Sequence, residues 1–114
     1  MENAMEPTHG AFTLPYRIKR CDTFGSRLLG LMFRRRPLID EAYHLIPCNS
    51  VHTFFMQFPI DVLFLDAHGR VLSIAKRAAP WRVLPPVRGA ASVLELPAGA
   101  AETHRIEIGQ IIEL

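Results

Sequence analysis

No run of apolar residues in this sequence is long enough to cross a membrane. The best candidate, "SVHTFFMQFPIDVLFLD" from Ser50 to Asp66, is broken by Gln57, Pro59 and Asp61, well short of the ~20 apolar residues a helical span needs. Charge of one sign is lacking too. Thirteen Lys and Arg stand against 11 Asp and Glu, a formal net charge of +2, too little to draw nucleic acid or a membrane surface by bulk attraction. Cysteine is scarce: Cys21 and Cys48 lie far apart, which excludes the closely spaced pairs of zinc ribbons and thioredoxin-like motifs. Two thiols in a reducing cytosol are expected rather than a disulfide. The opening "MENAMEPTHGAF" has no basic start followed by an apolar core, so no secretory signal is read and the cytoplasm is the default compartment, with an exported form as the alternative.

What is present is a folded domain. The chain has 114 residues, 49% of them hydrophobic and 21% charged, enough for one real core but not two. Residues 1–14 read as a loose lead-in punctuated by Pro7 and Gly10, and residues 15–114 as a single globular domain. "YRIKRC" has the alternation of an edge strand guarded by charge. "DTFGSRLLGLMF" predicts a helix capped by Asp22 or Thr23, with Phe24, Leu28, Leu31 and Met32 on one buried face. Within it Gly30 is expected to let another backbone come close, and Pro37 to stop the helix.

From Ala42 onward the pattern is β. Strands are predicted over 42–46, 50–56, 60–66 and 70–76, with "AHG" as a hairpin loop that places Gly69 in the left-handed region. The stretch Ile60–Leu65 is apolar on both faces, as an internal strand covered on each side requires. Pro80, Pro85 and Pro86 mark a crossing loop, "SVLEL" a further strand, and "PAGAAETHR" a helix of about two turns. "IEIGQIIEL" reads as a strand pair or a strand bent at Gly109. The sum is α+β with β dominant. A twisted, mostly antiparallel sheet curls into a barrel-like body with one longer and one short helix.

The ordered motifs "GLMFR", "SVHTFFMQFPIDVLFLD", "PW", "VLELPAG" and "IEIGQII" resemble those of domain-of-unknown-function family 192, a bacterial and archaeal group. The likeness runs from about Tyr16 to Leu114. It implies a small β-rich fold without an assigned reaction, and a bacterial source is expected for this chain. Many members of the family carry an aromatic-Met-Lys-Asn-Thr run where this chain reads Phe55, Met56, Gln57, Phe58 and Pro59. The Gly-Asp often found near the C-terminus is here Gly109-Gln110. No role of those residues carries over.

The polar residues inside the apolar stretch are the first candidates for a site. His52, Thr53 and Asp61 would each cost about 1–3 kcal/mol if buried without a partner. If the chain bends through Gln57-Phe58-Pro59, His52 and Asp61 could meet, the start of a general base or a triad with Ser50, Thr53 or Cys48. Gly-x-Ser-x-Gly is absent and nothing around Cys48 matches a cysteine-protease signature. The preferred reading is a structural polar seam of His52, Thr53 and Asp61 beside a shallow pocket bordered by Trp81 and Arg82, in a non-catalytic binding or accessory domain. A small ligand or a protein is the expected partner. A hydrolase-like enzyme using His52 and Asp61 is the alternative.

The five histidines show no chelating spacing, so no metal and no cofactor are expected. "LELPAGAAE" resembles the Nudix run, but only Glu102 follows it closely, and the carboxylate cluster that holds magnesium there is missing. Arg34, Arg35 and Arg36 could contact phosphates in a nucleic-acid-linked regulator. No nucleic-acid module accompanies them, so a solvated face is preferred.

Overall fold

The computed structural model describes residues 11–114. The expected lead-in of residues 1–14 lies outside the described residues up to residue 10. Phe12–Thr13 form β1, which pairs in parallel with Ile112–Glu113, the last strand, and Leu14 is buried behind it.

The main sheet has five strands. They are β2 (Arg17–Cys21), β3 (Glu41–Leu45), β5 (Ile60–Leu65), β6 (Val71–Ala78) and β8 (Ser92–Pro97). Their spatial order is β2-β3-β8-β5-β6, with β2 parallel to β3 and every other pair antiparallel. The charged strand β2 is an edge, as its alternation requires. The other edge is β6, and the two do not pair. The sheet is therefore open, which corrects the barrel-like expectation.

Both faces of the sheet are covered. Alternation sends Leu63, Leu65, Leu94 and Leu96 into one core with Ala100, Ala101 and Ile106. It sends Ile60, Val62, Phe64 and Val93 into the other with Leu31, Met56 and Phe58. Gly69 closes the β5–β6 hairpin at φ 85, where a Cβ would stand 2.7 Å from the Ile112 carbonyl oxygen. Asp66 Oδ1 accepts the His68 and Arg70 amides there, at 2.8 and 2.9 Å.

Four local expectations change. The helix α1 spans only Phe24–Leu29 and buries none of its residues. Thr23 caps it: its Oγ1 accepts the Ser26 amide at 3.1 Å, and Ser26 Oγ accepts the Thr23 amide at 3.0 Å. Gly30, at φ 41 and ψ −115, then ends the helix, so the face from Phe24 to Met32 never completes. Leu31 turns into the core, while Phe24 remains 74% exposed. The strand expected over 50–56 shrinks to β4 (Val51–His52), paired with β7 (Val83–Leu84). The C-terminal strand pair reduces to β9 (Ile112–Glu113), and α2 (Ala100–Thr103) is a single turn.

Candidate functional site

Asp61 does not meet His52. A bulge in the β5–β6 ladder sets Asp61 opposite two residues, Lys76 and Arg77. The Arg77 amide donates to Asp61 Oδ1 at 2.8 Å, joined by Gly99 at 3.1 Å, while Ala101 donates to Oδ2 at 2.8 Å. Asp61 thus caps α2 from across the core, where Gly99 has no side chain to do so. His52 lies elsewhere: its Nδ1 accepts the Phe54 amide at 3.2 Å and its ring stacks on Phe54.

Thr53 is equally committed to structure. Its Oγ1 donates to the Ala79 carbonyl at 2.7 Å and accepts the Arg82 amide at 2.8 Å. Its backbone exchanges bonds with Trp81 and Arg82. The predicted site residues His52, Thr53, Trp81 and Arg82 therefore share one neighbourhood, and Asp61 stands apart from it. The expected continuous seam is two separate anchorages, because backbone amides reach each side chain first.

Beside Thr53 the chain forms an aromatic shelf. Phe33, Phe55 and Trp81 all have positive φ, at 65, 63 and 63. Ring centroids lie 5.1 Å apart for Phe33–Phe55 and 4.8 Å for Phe55–Trp81, and Phe54 continues the row at 5.8 Å from Trp81 to the His52 ring. Left-handed backbone costs a bulky residue on the order of 1–3 kcal/mol. Three such residues, all exposed, spend stability to hold apolar surface in water, a pattern of binding faces.

A cleft of about 220 Å³ opens next to the shelf, between α1, the Cys48–His52 segment and the sheet. Phe24, Leu28, Leu31, Val51 and Met56 make its walls apolar. Glu95 lines it as well. That residue sits on β8 between Tyr43 of β3 and Val62 of β5, on the same face as Val93. It is only 3% exposed, and its Oε1 has no hydrogen-bond partner among the described residues. Burial pushes its carboxyl up to about 7. Gly30 lies close by: a Cβ there would stand 3.6 Å from Oε1.

Sequence reasoning missed Glu95, although it opens the Glu-Leu-Pro-Ala-Gly run weighed against Nudix enzymes. Alternation between Leu94 and Leu96 makes it read as a solvent-facing position. The available signal was its neighbour strand: Ile60–Leu65, apolar on both faces, demands cover on the Glu95 side too.

Cys48 also lines the cleft. Its Sγ donates to the Ser50 carbonyl at 3.0 Å, and burial raises its pKa. A thiol held protonated is a poor nucleophile. Cys21 and Cys48 are both free thiols. No three His, Cys, Asp or Glu side chains among the described residues converge as metal ligands. Arg34 is taken up by Glu41 at 2.7 Å and by the Arg36 carbonyl at 2.8 Å, which leaves Arg35 and Arg36 as the exposed members of the basic run. No helix of the described residues is long and apolar enough to cross a membrane.

An open five-stranded sheet with a recessed carboxyl group beneath a short helix defines a small, β-dominant α+β protein with a cleft under that helix. The chain belongs to the DUF192 family, described as "Uncharacterized ACR", whose model it matches over residues 5–114. It is 39% identical over 103 residues to a UPF0127 protein of Thermococcus sibiricus, covering 85% of this chain and 65% of that protein. It therefore spans just under two thirds of that relative's length. A UPF0127 protein of Pyrococcus horikoshii is 35% identical over 101 residues, 84% of this chain and 85% of its own. These relatives are archaeal, against the expectation of a bacterial source. A solved structure of a protein of unknown function from the bacterium Novosphingobium aromaticivorans superposes with a TM-score of 0.78 at 27% identity, covering 87% of this chain and 75% of that one.

Proposed function

We propose that this chain is a non-catalytic binding domain whose ligand enters the cleft under α1 and lies against the Phe33–Phe55–Trp81 shelf. The observation that carries this reading is Glu95, a buried carboxyl group with an unpaired oxygen in a mostly apolar recess. A buried polar atom left open costs about 1–3 kcal/mol, and a ligand that pairs with it recovers that loss. Binding is favoured over hydrolysis because the expected partners of His52 are otherwise engaged. Asp61 is saturated by amides, Thr53 by the 79–82 backbone, and Cys48 by Ser50.

The test uses the neutral solvatochromic dye prodan. Saturable binding with a blue-shifted emission is expected for the native chain, and its loss in Ser50→Trp, which fills the cleft wall, with the thermal melt unchanged. Nitrophenyl acetate hydrolysis should be the same in the parent and in His52→Ala. Absence of dye binding, or hydrolysis that collapses in His52→Ala, would overturn the reading.

A further inference from the structure

We infer that the cleft selects an organic cation: a primary ammonium group on an apolar body, with the nitrogen set against the Glu95 carboxylate and the body along Leu28, Leu31 and Met56. This deepens the binding reading above and rests on it. Three features of the cleft converge on that ligand. Among the described residues its only carboxylate is Glu95, whose Oε1 is buried, accepts no hydrogen bond from them and stands on the Gly30 side of the recess. Its walls are apolar, which suits a hydrocarbon chain and strengthens any charge pair formed at the floor. The Phe24 ring lines the same cleft, and aromatic faces attract ammonium groups.

The protein's own cations do not already fill this role. Among the described residues none lies within ion-pair distance of Glu95. Arg27 of α1 lines the cleft but donates to the Asp22 carbonyl at 3.2 Å. On β3, Tyr43 stands next to Glu95, its hydroxyl near the Arg34 guanidinium at 3.5 Å and its ring beneath Lys19. Cys21 of β2 and Cys48 feel the Glu95 charge but carry none of their own as thiols. Val62 of β5 is apolar, and His52 is the remaining titratable group in the cleft wall. A neutral donor would satisfy Oε1 geometrically. A cation also neutralises the charge, and hydrogen bonds between ionised partners are about twice as strong as neutral ones.

Binding is then coupled to proton release. A carboxyl group that titrates at about 7 is ionised in roughly a tenth of molecules at pH 6 and nine tenths at pH 8, so apparent affinity for a cation rises roughly tenfold across that range. His52 lines the same cleft, so the series is repeated in His52→Gln.

The experiment titrates the full chain with n-hexylammonium, 1-hexanol and hexanoate, followed by amide NMR shifts at pH 7.5. The expected order is hexylammonium tightest, at least tenfold over hexanol, with hexanoate weakest. Glu95→Gln should lose the preference, binding hexylammonium no tighter than hexanol, and the tenfold gain from pH 6 to 8 should persist in His52→Gln. Hexanol binding in the cleft as tightly as hexylammonium would sink the cation inference and leave the binding reading standing. No shift of cleft residues with any of the three would remove both.

Discussion

Asp61 and Glu95 are carboxylic acids buried in the same sheet, on the paired strands β5 and β8 and on opposite faces, and the protein treats them in opposite ways. Asp61 is surrounded by donors. Amides from the β6 bulge and from the start of α2 fill both its oxygens. Glu95 faces a cleft wall with an oxygen left open. Burial alone therefore does not mark a functional acid, because a buried carboxylate with three backbone donors is a structural cross-link. One without them is either kept neutral or kept for something that arrives.

Removing the satisfied acid should have the largest effect. Asp61→Leu leaves the Arg77, Gly99 and Ala101 amides without an acceptor and should cost about 3–5 kcal/mol, the range of a broken buried network. Asp61→Asn keeps one acceptor oxygen but turns an NH2 towards an amide, so a smaller loss of about 1–3 kcal/mol is expected. Urea midpoints of the two variants check the order. Because His52 is not the partner, His52→Ala should add to Asp61→Asn without coupling, within about 0.5 kcal/mol. A strong coupling would restore the His52–Asp61 pair.

The unsatisfied acid should respond with the opposite sign. The Glu95 carboxyl is raised from 4.5 to about 7 on folding. Between those values the native state holds a proton that the unfolded chain has released. Its contribution is therefore fully present below pH 4.5 and is lost as pH rises through about 7, a span of about 3 kcal/mol. Glu95→Gln should abolish that fall, and Glu95→Leu should be more stable than the parent at pH 8. Chemical denaturation at pH 5 and pH 8 measures both. Parallel pH curves for the parent and Glu95→Gln would mean that Glu95 is paired after all.

How much of this was legible depended on whether the signal was local. The hairpin at Gly69, the Thr23 cap, the charged edge strand and the doubly covered strand Ile60–Leu65 each follow from a few adjacent residues, and each stands in the structure. That Asp61 needs a partner was equally plain. Which partner was not, because the donors come from Arg77, Gly99 and Ala101, up to 40 positions away, and a ladder bulge aims one of them. The left-handed conformations of Phe33, Phe55 and Trp81 have no sequence signature, since these residues disfavour that region. Gly30 misled for a related reason. Its spacing continued a helical face, while its backbone freedom ended the helix.

The finest test of the contrast between the two acids is Gly30→Ala. Gly30 stands at φ 41, where an L side chain is strained, and its added methyl would lie 3.6 Å from Glu95 Oε1. That distance is ordinary contact, so no clash contributes. The backbone strain should cost about 1 kcal/mol at any pH. The methyl also takes up space beside the carboxyl group and makes its ionised form harder to solvate. A second loss, of roughly a few tenths of a kcal/mol, should therefore appear at pH 8 and be absent at pH 5, where Glu95 is protonated. In the Glu95→Gln background the second part should vanish, leaving the same loss at both pH values. The four-variant cycle, measured by urea denaturation at each pH, separates strain from solvation. A pH-dependent loss that survives in Glu95→Gln would show that another ionisable group lies under Gly30, and the assignment of the cleft floor to Glu95 would fall.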